Sequence, residues 1–237
     1  MSSEAVIWHD LECGSYTADL PLWVELAERA NANQVLDIGA GTGRVSLALA
    51  RGGHRVIALE LDAELAAELE RRSQALAVEV ICADACAFAL ERQVGLALVP
   101  MQTIHLLADR PAFLRCARSA LLDGGLLALS LLGEGVEPFE LELDPDAVEL
   151  GEIRYESAPT ALRRDAGGAV LLERRRSTFA PHAAPRSRLN VIRLERCDAA
   201  TLTAEAAGAG FALREVITIA ATAEHAGSEV LCLEAST

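Results

Sequence analysis

From Gln34 to Gly133 the chain sets short apolar runs against longer stretches with helical spacing. QVLDIG, RVIALE, AVEVICAD, VGLALVP and GLLALSLLG are near-continuous apolar runs of strand length, the pattern of strands covered on both faces. RVSLALARG, DAELAAELERRSQA and RPAFLRCARSALLDGG carry apolar residues at helical intervals. So does the earlier stretch ADLPLWVELAERAN, where Pro21 falls in the first turn and its missing N–H is harmless. Pro111 and the pair Gly124 and Gly125 bracket the last of these helices, proline in and glycine out. Strands alternating with helices in this way predict an α/β fold, a mostly parallel sheet with helices on both faces.

Beyond Gly135 the period changes. EIRYES, AVLLERRRSTF and RLNVIRLERC alternate polar with apolar residues, and DAGG between two of them is a hairpin-turn sequence. These segments predict a small antiparallel β insertion over residues 136–197, placed after the fifth strand. The core pattern then returns, with TLTAEAAGAG as a helix, FALREVITIA as a strand, AATAEHAGS as a loop and EVLCLEA as a last strand. The expected organisation is one domain over 1–237, with residues 1–33 as an amino-terminal cap segment.

Composition narrows the chemistry. With 51% hydrophobic and 24% charged residues, the chain can build an ordinary globular core. Its net charge of -14 argues against a polyanionic partner over most of the surface, so nucleic acid is disfavoured. All 21 basic side chains counted as Lys plus Arg are arginines, which excludes a Schiff-base lysine and a phosphate-gripping lysine of a Walker loop. The six cysteines are scattered without zinc spacing, and no metal is expected. The amino terminus lacks the basic and apolar regions of a secretory signal, and the apolar runs are broken by glycine and too short to span a bilayer. A cytoplasmic protein with no membrane association is the expectation.

The stretch VLDIGAGTGR places Gly39, Gly41 and Gly43 in a strand-to-helix turn, where a chain without Cβ atoms can approach a ligand closely. Asp37 stands inside the strand before it. A nicotinamide or flavin site has a third glycine in GxGxxG, and that position here is Arg44. Glu60 ends the next apolar run about twenty residues on, the separation at which a strand-end acid reaches ribose hydroxyls. Asp84 ends the run after that. Together these resemble the first motif and the two following acids of class I S-adenosylmethionine-dependent methyltransferases. The resemblance implies a seven-stranded Rossmann-like sheet whose seventh strand, EVLCLEA, runs antiparallel. It also implies S-adenosylmethionine as cofactor and S-adenosylhomocysteine as product, with the cofactor lying against Asp37, Gly39, Ala40, Gly41 and Gly43. Glu60 would hold the ribose, Asp84 the adenine amino group, and Leu61, Ala85 and Cys86 the ring. Pro100 and Tyr16 are the other implied cofactor contacts, with Trp8 and Trp23 as apolar walls.

The segment VGLALVPMQTIHLL, where that family's acceptor meets the sulfonium, has no NPPY or DPPY, no Pro-Cys and no pair of glutamates. The chain therefore resembles the small-molecule group, the glycine and amino-sugar N-methyltransferases, which also carry an antiparallel insertion after the fifth strand. The expected reaction is methyl transfer to a nitrogen or oxygen of a small-molecule acceptor. An RNA or protein methyltransferase, or a protein that binds the cofactor without catalysis, is the alternative. His105 is the candidate base, since imidazole titrates near neutrality, and Gln102 is a candidate acceptor contact. Nine arginines lie between Arg163 and Arg196. On a strand Arg174 and Arg176 share one face, where guanidinium can select a carboxylate or phosphate; a solvated or oligomer-facing ribbon is the competing reading. The sequence leaves the oligomeric state open, a homodimer included.

Overall fold

The computed structural model describes residues 3–133, 137–140, 144–221 and 227–236. Its first sheet contains β1 (Gln34–Ile38), β2 (Arg55–Glu60), β3 (Val78–Cys82), β4 (Val94–Val99) and β5 (Leu121–Leu132), all parallel. A second sheet follows, made of β6 (Phe139–Glu140), β7 (Asp146–Leu150), β8 (Ile153–Arg164), β9 (Val170–Phe179) and β10 (Arg186–Leu194). β11 (Phe211–Ile219) and β12 (Ser228–Ala235) return to the first sheet, whose order is β11-β12-β5-β4-β1-β2-β3. β12 is antiparallel to both of its neighbours, as the resemblance implied. The α/β, Rossmann-like class with a seven-stranded, mostly parallel sheet is the fold found.

Seven helices complete the described chain: α1 (Glu4–Cys13), α2 (Leu20–Arg29), α3 (Arg44–Arg51), α4 (Ala63–Arg72), α5 (Thr103–Leu106), α6 (Arg110–Ala120) and α7 (Ala199–Gly208). Alternation along β1 sends Leu36 and Ile38 to one face, where they meet Phe113 and Leu114 of α6 and Leu202 of α7. Val35 faces the other way, onto Trp23 and Leu26 of α2 and Val45 and Leu49 of α3. The two cores are the reason the strands read as unbroken apolar runs. Asp62, Asp109 and Asp198 cap α4, α6 and α7 by accepting hydrogen bonds from first-turn N–H groups.

Two sequence expectations need correction here. α6 stops at Ala120, and Gly124 and Gly125 lie inside β5 rather than past a helix end. Leu121 pairs with Val94 and Leu126 with Leu96, so the intervening residues form a bulge in which Gly124 takes φ +75°. Burial of Leu121 in the sheet outweighs helical continuation. The second correction is α1, a helix that was not anticipated. Ser3 accepts a hydrogen bond from Val6 N–H, and Ile7 and Trp8 bury against Tyr155 of β8.

The second sheet, in the order β10-β9-β8-β6 with β7 also on β8, is antiparallel and follows β5. Asp165 closes its DAGG hairpin by accepting hydrogen bonds from Gly167 and Ala169 N–H. Leu162, Val170 and Leu194 pack with Leu132 at the end of β5, so one face of this sheet looks back toward the carboxyl ends of the first. The expected starting residue of the insertion, Val136, lies outside the described residues, as does most of the loop expected before β12.

Candidate active site

The glycine turn leaves β1 and becomes the amino terminus of α3. Gly39, Gly41 and Gly43 all have positive φ, at +72°, +57° and +101°, where any other side chain is strained. Each also lacks room for a Cβ: at Gly39 it would strike Thr103, at Gly41 the ring of His9, and at Gly43 the Leu69 side chain. The turn is thus closed on by α5, α1 and α4 together. Gly39 and Ala40 N–H groups both donate to Leu59 O, which ties the turn to β2.

Asp37 is buried at the end of β1. Its Oδ2 accepts the Ser46 hydroxyl at 2.5 Å, while its Oδ1 is buried without a donor. Burial pushes its carboxyl up to about 6, with the Ser46 hydrogen bond opposing the shift. Glu60 faces the same turn from β2. Its Oε2 accepts from Gly41 N–H at 2.7 Å and its Oε1 from Asp62 N–H at 2.9 Å. Leu61, next along, is 68% exposed, an apolar surface left open at the strand end. Asp84 is exposed beyond β3, with Oδ1 accepting from Cys86 N–H, and Ala85 lies between them half-buried. The side-chain-free turn, a carboxylate at each of the next two strand ends, an exposed apolar platform and an unsatisfied buried acceptor suit an adenosyl ligand bearing hydroxyls and an ammonium group.

Tyr16 is buried with its hydroxyl hydrogen-bonded to Ser228, and Arg44 lies over its ring at 5.2 Å. Arg44 also donates to Tyr16 O and forms a bidentate pair with Asp19, which accepts from Trp23 Nε1 as well. The arginine that breaks the dinucleotide pattern therefore pins the amino-terminal segment to the turn. Trp23 belongs to the core beneath the sheet, and Trp8 to the contact between α1 and β8.

His105 differs from the sequence expectation. It is buried on α5, its Nδ1 donates to Glu195 O at 2.8 Å, and its Nε2 accepts from Leu132 N–H at 3.0 Å. Both ring nitrogens are engaged with backbone, so no lone pair is left to take a proton from an acceptor. His105 instead joins α5, the end of β5 and the exit of β10. Pro100 is buried at the end of β4, and Gln102 half-buried one residue past Met101, whose φ of +54° marks a strained bend there.

The arginines of the insertion separate into two groups. Arg176 donates from Nε and Nη2 to Glu12 at 2.7 Å each, and Glu12 also accepts the Ser157 hydroxyl. That ion pair neutralises Arg176, which corrects its assignment as an acceptor contact. Arg163, Arg188, Arg193 and Arg196 likewise meet acids, so these side chains are charge-compensated within the chain. Arg174 stands apart. It pairs in register with Pro159 and Asn190 on the inner face, between Leu172 toward β5 and Arg176 toward α1, and its Nη1 is buried with no hydrogen-bond partner.

Sequence reasoning missed His9, Asp10, Thr42 and Thr103. Asp10 accepts the Thr42 hydroxyl at 2.6 Å and pairs with Arg72, so α1 is bonded directly to the glycine turn. The usable signal was a capping serine followed by Glu4 and by apolar residues at positions 6, 7 and 11. No group of acids, histidines and cysteines arranged to hold a metal occurs among the described residues.

Residues 35–125 match the model of a methyltransferase domain. No curated protein matches the sequence. Among solved structures, the sugar N-methyltransferase KedS8 from Streptoalloteichus sp ATCC 53650 superposes with TM-score 0.79 at 19% identity, over 100% of this chain and 94% of that one. The CcbJ methyltransferase from Streptomyces caelestis gives 0.71 at 21% identity, over 94% and 92%. CalS10, an amino pentose methyltransferase from Micromonospora echinaspora whose structure holds S-adenosylmethionine, gives 0.71 at 19%, over 97% of each chain. The chain thus has the methyltransferase fold along its whole length, with the methyltransferase domain itself matched from the first strand of the sheet into the fifth.

Proposed function

We propose that the protein is an S-adenosylmethionine-dependent methyltransferase acting on an amine nitrogen of a small metabolite that carries an anionic group. The observation that carries the cofactor reading is the placement of Glu60 and Asp37 around the glycine turn, with Leu61 and Asp84 beside them. In this reading Glu60 accepts the ribose hydroxyls, Asp84 meets the adenine amino group over Leu61 and Ala85, and Asp37 with Gly39 and Ala40 faces the methionine end near Pro100 and Tyr16. S-adenosylmethionine supplies an activated methyl group on a sulfonium, so the protein needs no covalent nucleophile.

What remains for the chain is alignment and exclusion of water, a contribution that reaches roughly 7 to 11 kcal/mol in favourable systems. α1 closes on the glycine turn after β1 and the second sheet packs against the end of β5, and Gln102 and Arg174 would orient the acceptor between them. Two considerations favour nitrogen over oxygen. A neutral amine already presents its lone pair, whereas a hydroxyl needs a base, and His105 has no free nitrogen to serve as one. KedS8 is a sugar N-methyltransferase and CalS10 an amino pentose methyltransferase. Arg174 supports the anionic group, because its buried Nη1 has no hydrogen-bond partner, and an unpaired buried donor is costly until it meets an acceptor.

The test is transfer from methyl-labelled S-adenosylmethionine to matched acceptors, amino and hydroxy, each with and without a carboxylate or phosphate. Label on the anionic amines is the expected result. Labelling of the hydroxy compounds alone would overturn the assignment to nitrogen.

A further inference from the structure

His9 is the one site histidine with a nitrogen turned toward the glycine turn. The Cε1–Nε2 edge of its ring occupies the space a side chain at Gly41 would need, and Nδ1 lies 3.3 Å from Thr42 Oγ1. The single hydroxyl proton of Thr42 is committed to Asp10 Oδ1 at 2.6 Å, so Thr42 Oγ1 must accept from His9. Nδ1 therefore carries the proton, and Nε2 is left as an acceptor with no partner among the described residues. It faces the turn whose Gly41 N–H is held by Glu60.

We propose that His9 is a cofactor-binding residue, its Nε2 accepting a hydrogen bond from a ribose hydroxyl beside Glu60. This rests on the reading of the site as an S-adenosylmethionine cradle. α1 would then be part of the binding surface and not only its cover, with Asp10 and Thr42 fixing the tautomer that makes Nε2 an acceptor. The charged groups that act on His9 are Asp10 and Glu12 of α1, Glu60 of β2 and Arg72 of α4. Burial dominates them and holds the imidazole below its ordinary pKa, which keeps it neutral at physiological pH. Protonation in acid turns Nε2 into a donor, so ribose loses an acceptor and affinity falls.

Calorimetric titration of S-adenosylhomocysteine into the wild type, His9→Ala and His9→Gln, at about pH 7.5 and about pH 5.5, tests this. Loss of one hydrogen bond should raise the Kd of His9→Ala about five- to tenfold at the higher pH. His9→Gln keeps an acceptor that does not titrate. It should stay within about threefold of the wild type at the higher pH and lose part of the acid-side weakening. A His9→Ala variant that binds like the wild type overturns the proposal, as does a His9→Gln variant that retains the full acid-side fall. Should His9→Ala not fold, the His9→Gln comparison decides alone. A wild type that folds but gives no binding at either pH would instead sink the cofactor reading itself.

Discussion

Glu60 Oε2 accepts the N–H of Gly41 at 2.7 Å, so the acid expected to hold a ribose also holds the turn on which the ribose would rest. Its Oε1 holds Asp62 N–H in the same way, at the cap of α4. One carboxylate thus sets the spacing between the glycine turn and the next strand end, and each oxygen keeps a lone pair for a ligand.

Glu60→Ala should therefore weaken S-adenosylhomocysteine binding by about 1 to 3 kcal/mol, as two ligand hydrogen bonds are lost. It should also lower Tm, because Gly41 N–H loses its partner. Calorimetry and thermal melts read the two effects separately, and unaltered affinity would remove Glu60 from the ligand site.

Asp37 should make the ligand-free fold depend on pH. Its folded pKa of about 6 lies above the ordinary carboxylate value, so the native state binds the extra proton. Stability from this group is full in acid and is lost as pH rises from about 4 to about 6. Relative to Asp37→Asn, the wild type should lose on the order of 2 to 3 kcal/mol across that window in urea unfolding. Parallel curves for the two proteins would contradict the burial argument.

His105→Ala is expected to act through structure. It leaves Leu132 N–H and Glu195 O without their partner, which should cost about 1 to 3 kcal/mol in unfolding free energy. The acid limb of the kcat profile should not move. A vanished acid limb with Tm unchanged would restore His105 as a base.

Arg174→Gln should raise KM about tenfold or more for an anionic acceptor and leave a neutral one within about twofold. Equal effects on both acceptors would show that Arg174 supports packing only.

Much of the fold could be read from the chain because the central strands of the first sheet are buried on both faces, and only long apolar runs can satisfy that. QVLDIG, VGLALVP and EVLCLEA are such runs, and they became β1, β4 and β12. The same logic failed at LLDGG, where Leu121 had a helical neighbour on one side and a strand on the other, and contacts distant in sequence decided between them. Glu60 and Asp37 were legible because their positions are counted from the glycines along short, regular elements. The fate of Arg176 was not, since Glu12 lies on a helix remote in sequence and nothing local announces the pairing. His9 was hidden for a related reason: α1 gains its place by packing on β8 and the glycine turn, not by a strong helical period of its own.

Titration of S-adenosylhomocysteine into the purified, folded protein addresses the central claim most directly. Saturable binding of about one equivalent, weakened in Glu60→Ala as expected from lost hydrogen bonds, is the predicted result. Native circular dichroism and a cooperative melt, together with no binding of that ligand or of S-adenosylmethionine, would contradict the account.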